Sequence, residues 1–264
     1  MSTKGPSAPS RWLRPGVALS AYLAAFVATR CAPPMFTGLG PTWALIAGEI
    51  GLVMLPAFLA AAIVSGRRWP ATLGLNRAPL LCVLGGALVG WGWAGGRSVL
   101  LALGVTLWSS WPVRLPPSAD AGLGLAAAAA LGPGVCEELL FRGLLLSALA
   151  PPLAKPEAVG VSGILFTAVH ASLSLWHLGL GLLLGSLSML TGSVLPAMAC
   201  HAANNAAAAW AEPLLARTAA EALPRALGEI ALVSCVAVGT GVLSLVAGHI
   251  VGTRTRGPAA DAHP

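Results

Sequence analysis

Cys136-Glu137-Glu138-Leu139-Leu140-Phe141-Arg142-Gly143 (CEELLFRG) places two adjacent carboxylates inside a run of Ala, Leu and Gly. The chain has only nine acidic residues in 264, so the pair is conspicuous. Its surroundings decide the fold. The sequence is 56% hydrophobic and 9% charged, against roughly 25% charged in an average soluble domain. A bilayer span needs about 20 mostly apolar residues. Such windows occur at 16–32, 42–65, 79–104, 122–149, 157–172, 175–191, 194–212 and 228–251, and CEELLFRG lies in the fourth. Backbone amides in lipid must be paired internally, and ten-residue alternating strands are absent. The reading is therefore all-α: a polytopic transmembrane helical bundle of about eight spans.

The domain reading follows from the same pattern. Residues 15–252 form one transmembrane domain with a motif-bearing core at 122–212, flanked by disordered tails at 1–14 and 253–264, which are rich in Ser, Pro, Gly and Ala. The net charge of +6 reads as a topology signal and not as a nucleic-acid surface, because the basic residues lie between the spans. Lys4, Arg11, Arg14, Arg67, Arg68, Arg77, Arg142, Lys155, Arg254 and Arg256 all fall on one side if both termini are cytoplasmic, against Arg114, Arg217 and Arg225 on the other. The loop bearing Trp108, Trp111, Arg114 and Pro116-Pro117 reads as an interfacial anchor. The first span lacks a clean small-residue cleavage site and is expected to be a retained helix. Five single cysteines, Cys31, Cys82, Cys136, Cys200 and Cys235, have neither disulfide nor zinc-thiolate spacing.

A charge at the bilayer centre costs about 2.5–3.5 kcal/mol on insertion scales, which makes each one a functional candidate. Helical phase separates the two glutamates. Glu138 and Arg142 are four apart and share a face, whereas Glu137 is turned about 100 degrees away and has no local counterion. Glu137 is thus expected to act as a general base. Phe166 and His170 are four apart, so the aromatic ring can orient the imidazole. His201 and Asn205 share a face, and Asn204 is assigned to interhelical glue or to support from behind. His177 and His249, near span ends, are read as structural. Glu49, alone in the second span, is left as a supporting or packing partner. Taken together, a carboxylate, two imidazoles and an amide suit hydrolysis of an amide bond: water is deprotonated and positioned, and an oxyanion receives hydrogen bonds. The set Glu137, His170 and His201 equally suits a divalent metal such as zinc with an open position for water. The residues alone leave both readings open.

Glu137-Glu138 with Arg142 matches EExxxR, Phe166 with His170 matches FxxxH, and His201 with Asn205 matches HxxxN, in that order. Over residues 122–212 the chain thereby resembles the CPBP intramembrane proteases, also called the Abi or CAAX protease family. The resemblance implies a glutamic-type endopeptidase in which Glu137 and His170 activate water. It makes His201 and Asn205 the oxyanion site and Glu138 and Arg142 its support, with Phe166 alongside. It implies a membrane-anchored protein or peptide as substrate. No cofactor is favoured on this reading, although older descriptions of the family name a metal. The Ala, Gly, Leu, Pro and Arg bias suggests a GC-rich bacterial genome and hence the inner membrane. Roles linked with the family are peptide maturation, bacteriocin self-immunity and myxosortase-like processing of C-terminal sorting signals. A catalytically silent scaffold and a proton-coupled transporter are the alternatives.

Overall fold

Lipid offers no water to backbone N–H and C=O groups, so each segment must pair its own; among the described residues the regular structure is helical throughout, with no strand. The computed structural model describes residues 13–31, 33–36, 38–102, 122–170, 174–217 and 222–255. Within them run α1 (Leu13–Cys31), α2 (Pro41–Thr72), α3 (Leu80–Ala102) and α4 (Leu123–Leu149). The remaining four are α5 (Lys155–Val169), α6 (Leu175–Thr191), α7 (Leu195–Arg217) and α8 (Leu223–Thr255). They follow the eight apolar windows in order. Three, α2, α4 and the Leu223–Gly252 part of α8, are by themselves long and apolar enough to cross a membrane, and α6 is a shorter apolar helix. The tails expected at 1–14 and 253–264 lie mostly outside the described residues, as does the 108–117 anchor loop. Arg14 and Thr253 to Thr255 are helical.

Two helices depart from regular α geometry where the site is built. α2 is π-helical over Glu49–Met54, with the Leu55 amide donating to the Ile50 carbonyl. Pro56 follows at once; it lacks an amide and its ring crowds the preceding turn, and the wider π turns provide room for it. α4 contains Pro133 and is π-helical over Leu139–Leu146, all eight of whose residues are buried. The CEELLFRG stretch is therefore an α-to-π junction inside the core.

Small residues set how closely the helices approach. α3 packs along both α7 and α8, α7 packs on α4, and α5 packs on α6. A Cβ on Gly90 of α3 would collide with the Cys200 carbonyl of α7, and one on Gly86 would collide with the Pro196 carbonyl. A Cβ on Gly134 of α4 would come within 2.9 Å of the Ala202 amide nitrogen. Such close backbone approach is how helices associate where no hydrophobic force separates helix from lipid. The start of α7 is further clasped to the α2–α3 turn: Val194 N–H donates to Gly74 O at 2.9 Å, Ser193 Oγ to Asn76 O at 2.7 Å, and Asn76 Nδ2 to Gly192 O at 3.0 Å. Gly74 adopts φ 66°, where a side chain would be strained. Because Cys200 immediately precedes His201, Gly90→Ala is expected to lower stability by about 1–3 kcal/mol and to shift α7. Thermal unfolding in detergent checks this, with Leu84→Ala, a change at an exposed position of the same helix, as the control.

Candidate active site

The two carboxylates of α4 meet different surroundings. Glu138 is fully buried and its Oε1 accepts two hydrogen bonds, from Arg142 Nη1 at 2.8 Å and from His201 Nδ1 at 2.9 Å. Arg142, also buried, donates through Nη2 to Gly181 O of α6 at 3.1 Å, and its guanidinium lies 4.4 Å from the Phe166 ring centroid. A charge in the core is tolerable only when paired and hydrogen-bonded. Glu138, Arg142 and His201 are paired through Glu138 Oε1, while Glu138 Oε2 and Arg142 Nε have no hydrogen-bond partner, and the three tie α4, α6 and α7 into one unit.

Glu137 faces elsewhere. Its Oε2 stands 3.7 Å from His170 Nε2, with the two side chains 14% and 23% exposed. His170 caps the C-terminus of α5, and its Nδ1 lies 2.8 Å from Phe166 O. A carbonyl can only accept, so Nδ1 donates, and in the neutral imidazole Nε2 presents its lone pair toward Glu137. Phe166 is fully buried and touches both imidazoles, with centroid separations of 4.5 Å to His170 and 5.6 Å to His201. It also packs edge-on against Phe141 at 5.3 Å. The four-residue spacing of Phe166 and His170 thus acts twice, through the ring and through the backbone carbonyl.

Glu137 and His170 open onto a cavity of about 180 Å³ whose walls include Tyr22, Thr29, Glu49 and Phe141. α1 closes one side and is anchored to the end of α5: Tyr22 Oη donates to Leu165 O at 3.2 Å and Arg30 Nη2 to Val169 O at 3.0 Å. His201 and Asn205 are not among the described residues lining this cavity. Asn205 is oriented by its neighbour, Asn204 Nδ2 donating to Asn205 Oδ1 at 3.1 Å, which leaves the Asn205 NH2 available. The structure therefore brings Glu137 to His170 and Glu138 to Arg142 and His201, and links the two groups through Phe166 and the adjacent backbone of α4.

His177 lies against His170. Read from sequence as structural, it stacks on His170 with ring centroids 4.6 Å apart and planes inclined by 22°. No spacing rule reveals this, since the two imidazoles belong to different helices. The chain's single tyrosine and Arg30 likewise carry no signal in the sequence, because their partners are backbone carbonyls 143 and 139 positions away. The donor set Glu137, His170 and His201 is not assembled: among the described residues no three His, Cys, Asp or Glu side chains stand together as metal ligands, and His201 Nδ1 is taken by Glu138. All five cysteines are free, and Cys82, Cys136 and Cys200 are buried.

Residues 119–207 match the family model described as Type II CAAX prenyl endopeptidase Rce1-like. This is the family that the EExxxR, FxxxH and HxxxN motifs resemble, and the matched segment holds all of them. No curated protein and no solved structure matches the chain.

Proposed function

We propose, with the Rce1-like segment as premise, that the chain is an intramembrane endopeptidase whose Glu137 and His170 activate the attacking water. The observation that carries this reading is the 3.7 Å approach of Glu137 Oε2 to His170 Nε2 at the wall of a cavity. One water placed about 2.8 Å from both atoms completes a triangle. Both atoms are acceptors, so each takes one O–H of that water and its lone pairs point away, toward a substrate carbonyl. Glu138 is unsuited to the same task, because it is fully buried, is not among the described residues lining the cavity, and has its Oε1 held by Arg142 and His201.

Attack produces an oxyanion, which His201 and Asn205 stabilise on this reading. Preorganised donors of this kind contribute about 2.7–4 kcal/mol each. The Asn205 NH2 is free to donate because Asn204 holds its oxygen. His201 donates Nδ1–H to Glu138, so donation from Nε2 requires a second proton, and the ionised Glu138 is its counter-charge. The substrate is a membrane-anchored protein or peptide, and the setting is a bacterial inner membrane with both chain termini cytoplasmic. Protein maturation and C-terminal sorting-signal processing are the roles that fit.

The test reconstitutes the purified chain in phospholipid vesicles with a detergent extract of bacterial membrane proteins and reads new peptide termini by mass spectrometry. New internal termini that are absent with His170→Ala support the reading. Identical termini with and without the active chain overturn it in favour of a silent scaffold. A chelated arm bears on the cofactor. Cleavage that persists after exhaustive chelation supports a water activated by side chains alone, and cleavage that is lost and then restored by zinc overturns that part.

A further inference from the structure

Glu49 is the sole acidic residue of α2 and the first residue of its π-helical stretch Glu49–Met54; isolated π turns are frequent at functional sites. Its side chain lines the same cavity as Glu137 and His170. It also lines a second cavity of about 230 Å³, walled by Phe36, Leu45 and Leu52 and sharing Thr29, Glu49 and Val53 with the first. Glu49 therefore stands where an apolar cavity meets the chamber that holds the base. Its Oε2 is buried and has no hydrogen-bond partner. Opposite it, α4 has Gly132, where a Cβ would come within 3.2 Å of Glu49 Cγ, so the backbone of α4 leaves space for this carboxyl.

A buried carboxyl with no partner is costly unless it carries a proton or meets a group that uses it. No Lys or Arg is among the described residues lining either cavity. Two carboxyl groups that face one chamber form the kind of pair in which one carboxyl serves as acid and the other as base.

We propose that Glu49 is a further catalytic residue, the group that gives its proton to the departing amine nitrogen; this rests on the assignment of Glu137 as base. In the first step a water proton passes to the Glu137 carboxylate while the water oxygen bonds to the substrate carbonyl carbon, and the carbonyl electrons move onto oxygen. In the second step the oxyanion re-forms the carbonyl, the C–N bond breaks, and its electron pair takes the proton of the Glu49 carboxyl. The products are a free acid and a free amine. Glu137 is then protonated and Glu49 ionised, and passage of the proton across the shared chamber restores both.

The test compares two substrates built on a peptide that spans a bond the wild-type chain cuts, one with the scissile amide and one with a 4-nitrophenyl ester at the same carbonyl. A nitrophenolate leaves without protonation, so a missing acid affects only the amide. Glu49→Gln is expected to lower kcat on the amide by about 100-fold or more and to leave kcat on the ester within about threefold of wild type; ester turnover also reports that the variant is folded. Glu49→Asp, which keeps the acid, is expected to recover at least a tenth of the amide activity. Retention of amide cleavage by Glu49→Gln, or equal loss on both substrates, overturns the proposal. Glu137→Gln is run beside it: loss on both substrates upholds the base assignment whatever Glu49 does, and retention on both means that the underlying reading has failed.

Discussion

Glu137→Gln is expected to lower peptide-bond cleavage by roughly 10³-fold, within the 10²–10⁴-fold range of a positioned general base, while the protein remains folded. The amide keeps the size and polarity of the side chain but cannot take a proton from water. Folding should be spared, because the Glu137 Oε2 atom has no hydrogen-bond partner to lose. Among the described residues lining the chamber it shares with Glu49 there is no Lys or Arg, so the amide also sheds the cost of a largely buried charge with no cation beside it. The thermal midpoint is therefore expected to be unchanged or slightly raised. Turnover and thermal unfolding measured on the same preparation check both halves. A variant that keeps more than a tenth of wild-type activity shows that the base lies elsewhere.

Arg142→Met is expected to give the largest loss of stability, about 3–5 kcal/mol, because it strands the fully buried Glu138 carboxylate with His201 as its remaining bonded partner. It also removes the bond to Gly181 O that joins α4 to α6. The double variant Glu138→Gln with Arg142→Met removes the stranded charge, and replacing a whole buried ion pair is often near neutral. It is expected to recover at least half of the lost stability without recovering activity, since His201 then faces a neutral amide and no longer has its counter-charge. Thermal unfolding of the three proteins in one detergent decides the point. A double variant no more stable than Arg142→Met would mean that the Arg142 contacts to Phe166 and Gly181 dominate and the charge on Glu138 does not.

The contrast between these two variants traces back to helical phase. Positions 138 and 142 are four apart, so their meeting is legible in CEELLFRG, and it survives the change from α to π turns within that stretch. The Phe166 and His170 pairing is legible for the same reason, although the carbonyl bond to Nδ1 follows from His170 being the cap residue of α5. Apolar windows likewise mark the eight helices in order, because hydropathy over about 20 residues is a property of the chain alone.

What lies between helices was not legible. His201 reaches Glu138 across 63 positions, His177 stacks on His170 from the following helix α6, and Glu49 shares a chamber with Glu137 from a helix outside the matched segment. Periodicity states which way a side chain points from its own axis and says nothing about which axis lies opposite. In this bundle that is settled by glycines that let backbones touch, Gly90 against Cys200 and Gly134 against Ala202. The sequence by itself thus determined a helical membrane protein, its protease-like motifs and the ion pair within α4. The tertiary structure alone decided that His201 joins Arg142 on Glu138 and that Glu49 shares the chamber of Glu137 and His170, because the cost of burying a charge depends on partners supplied by other helices.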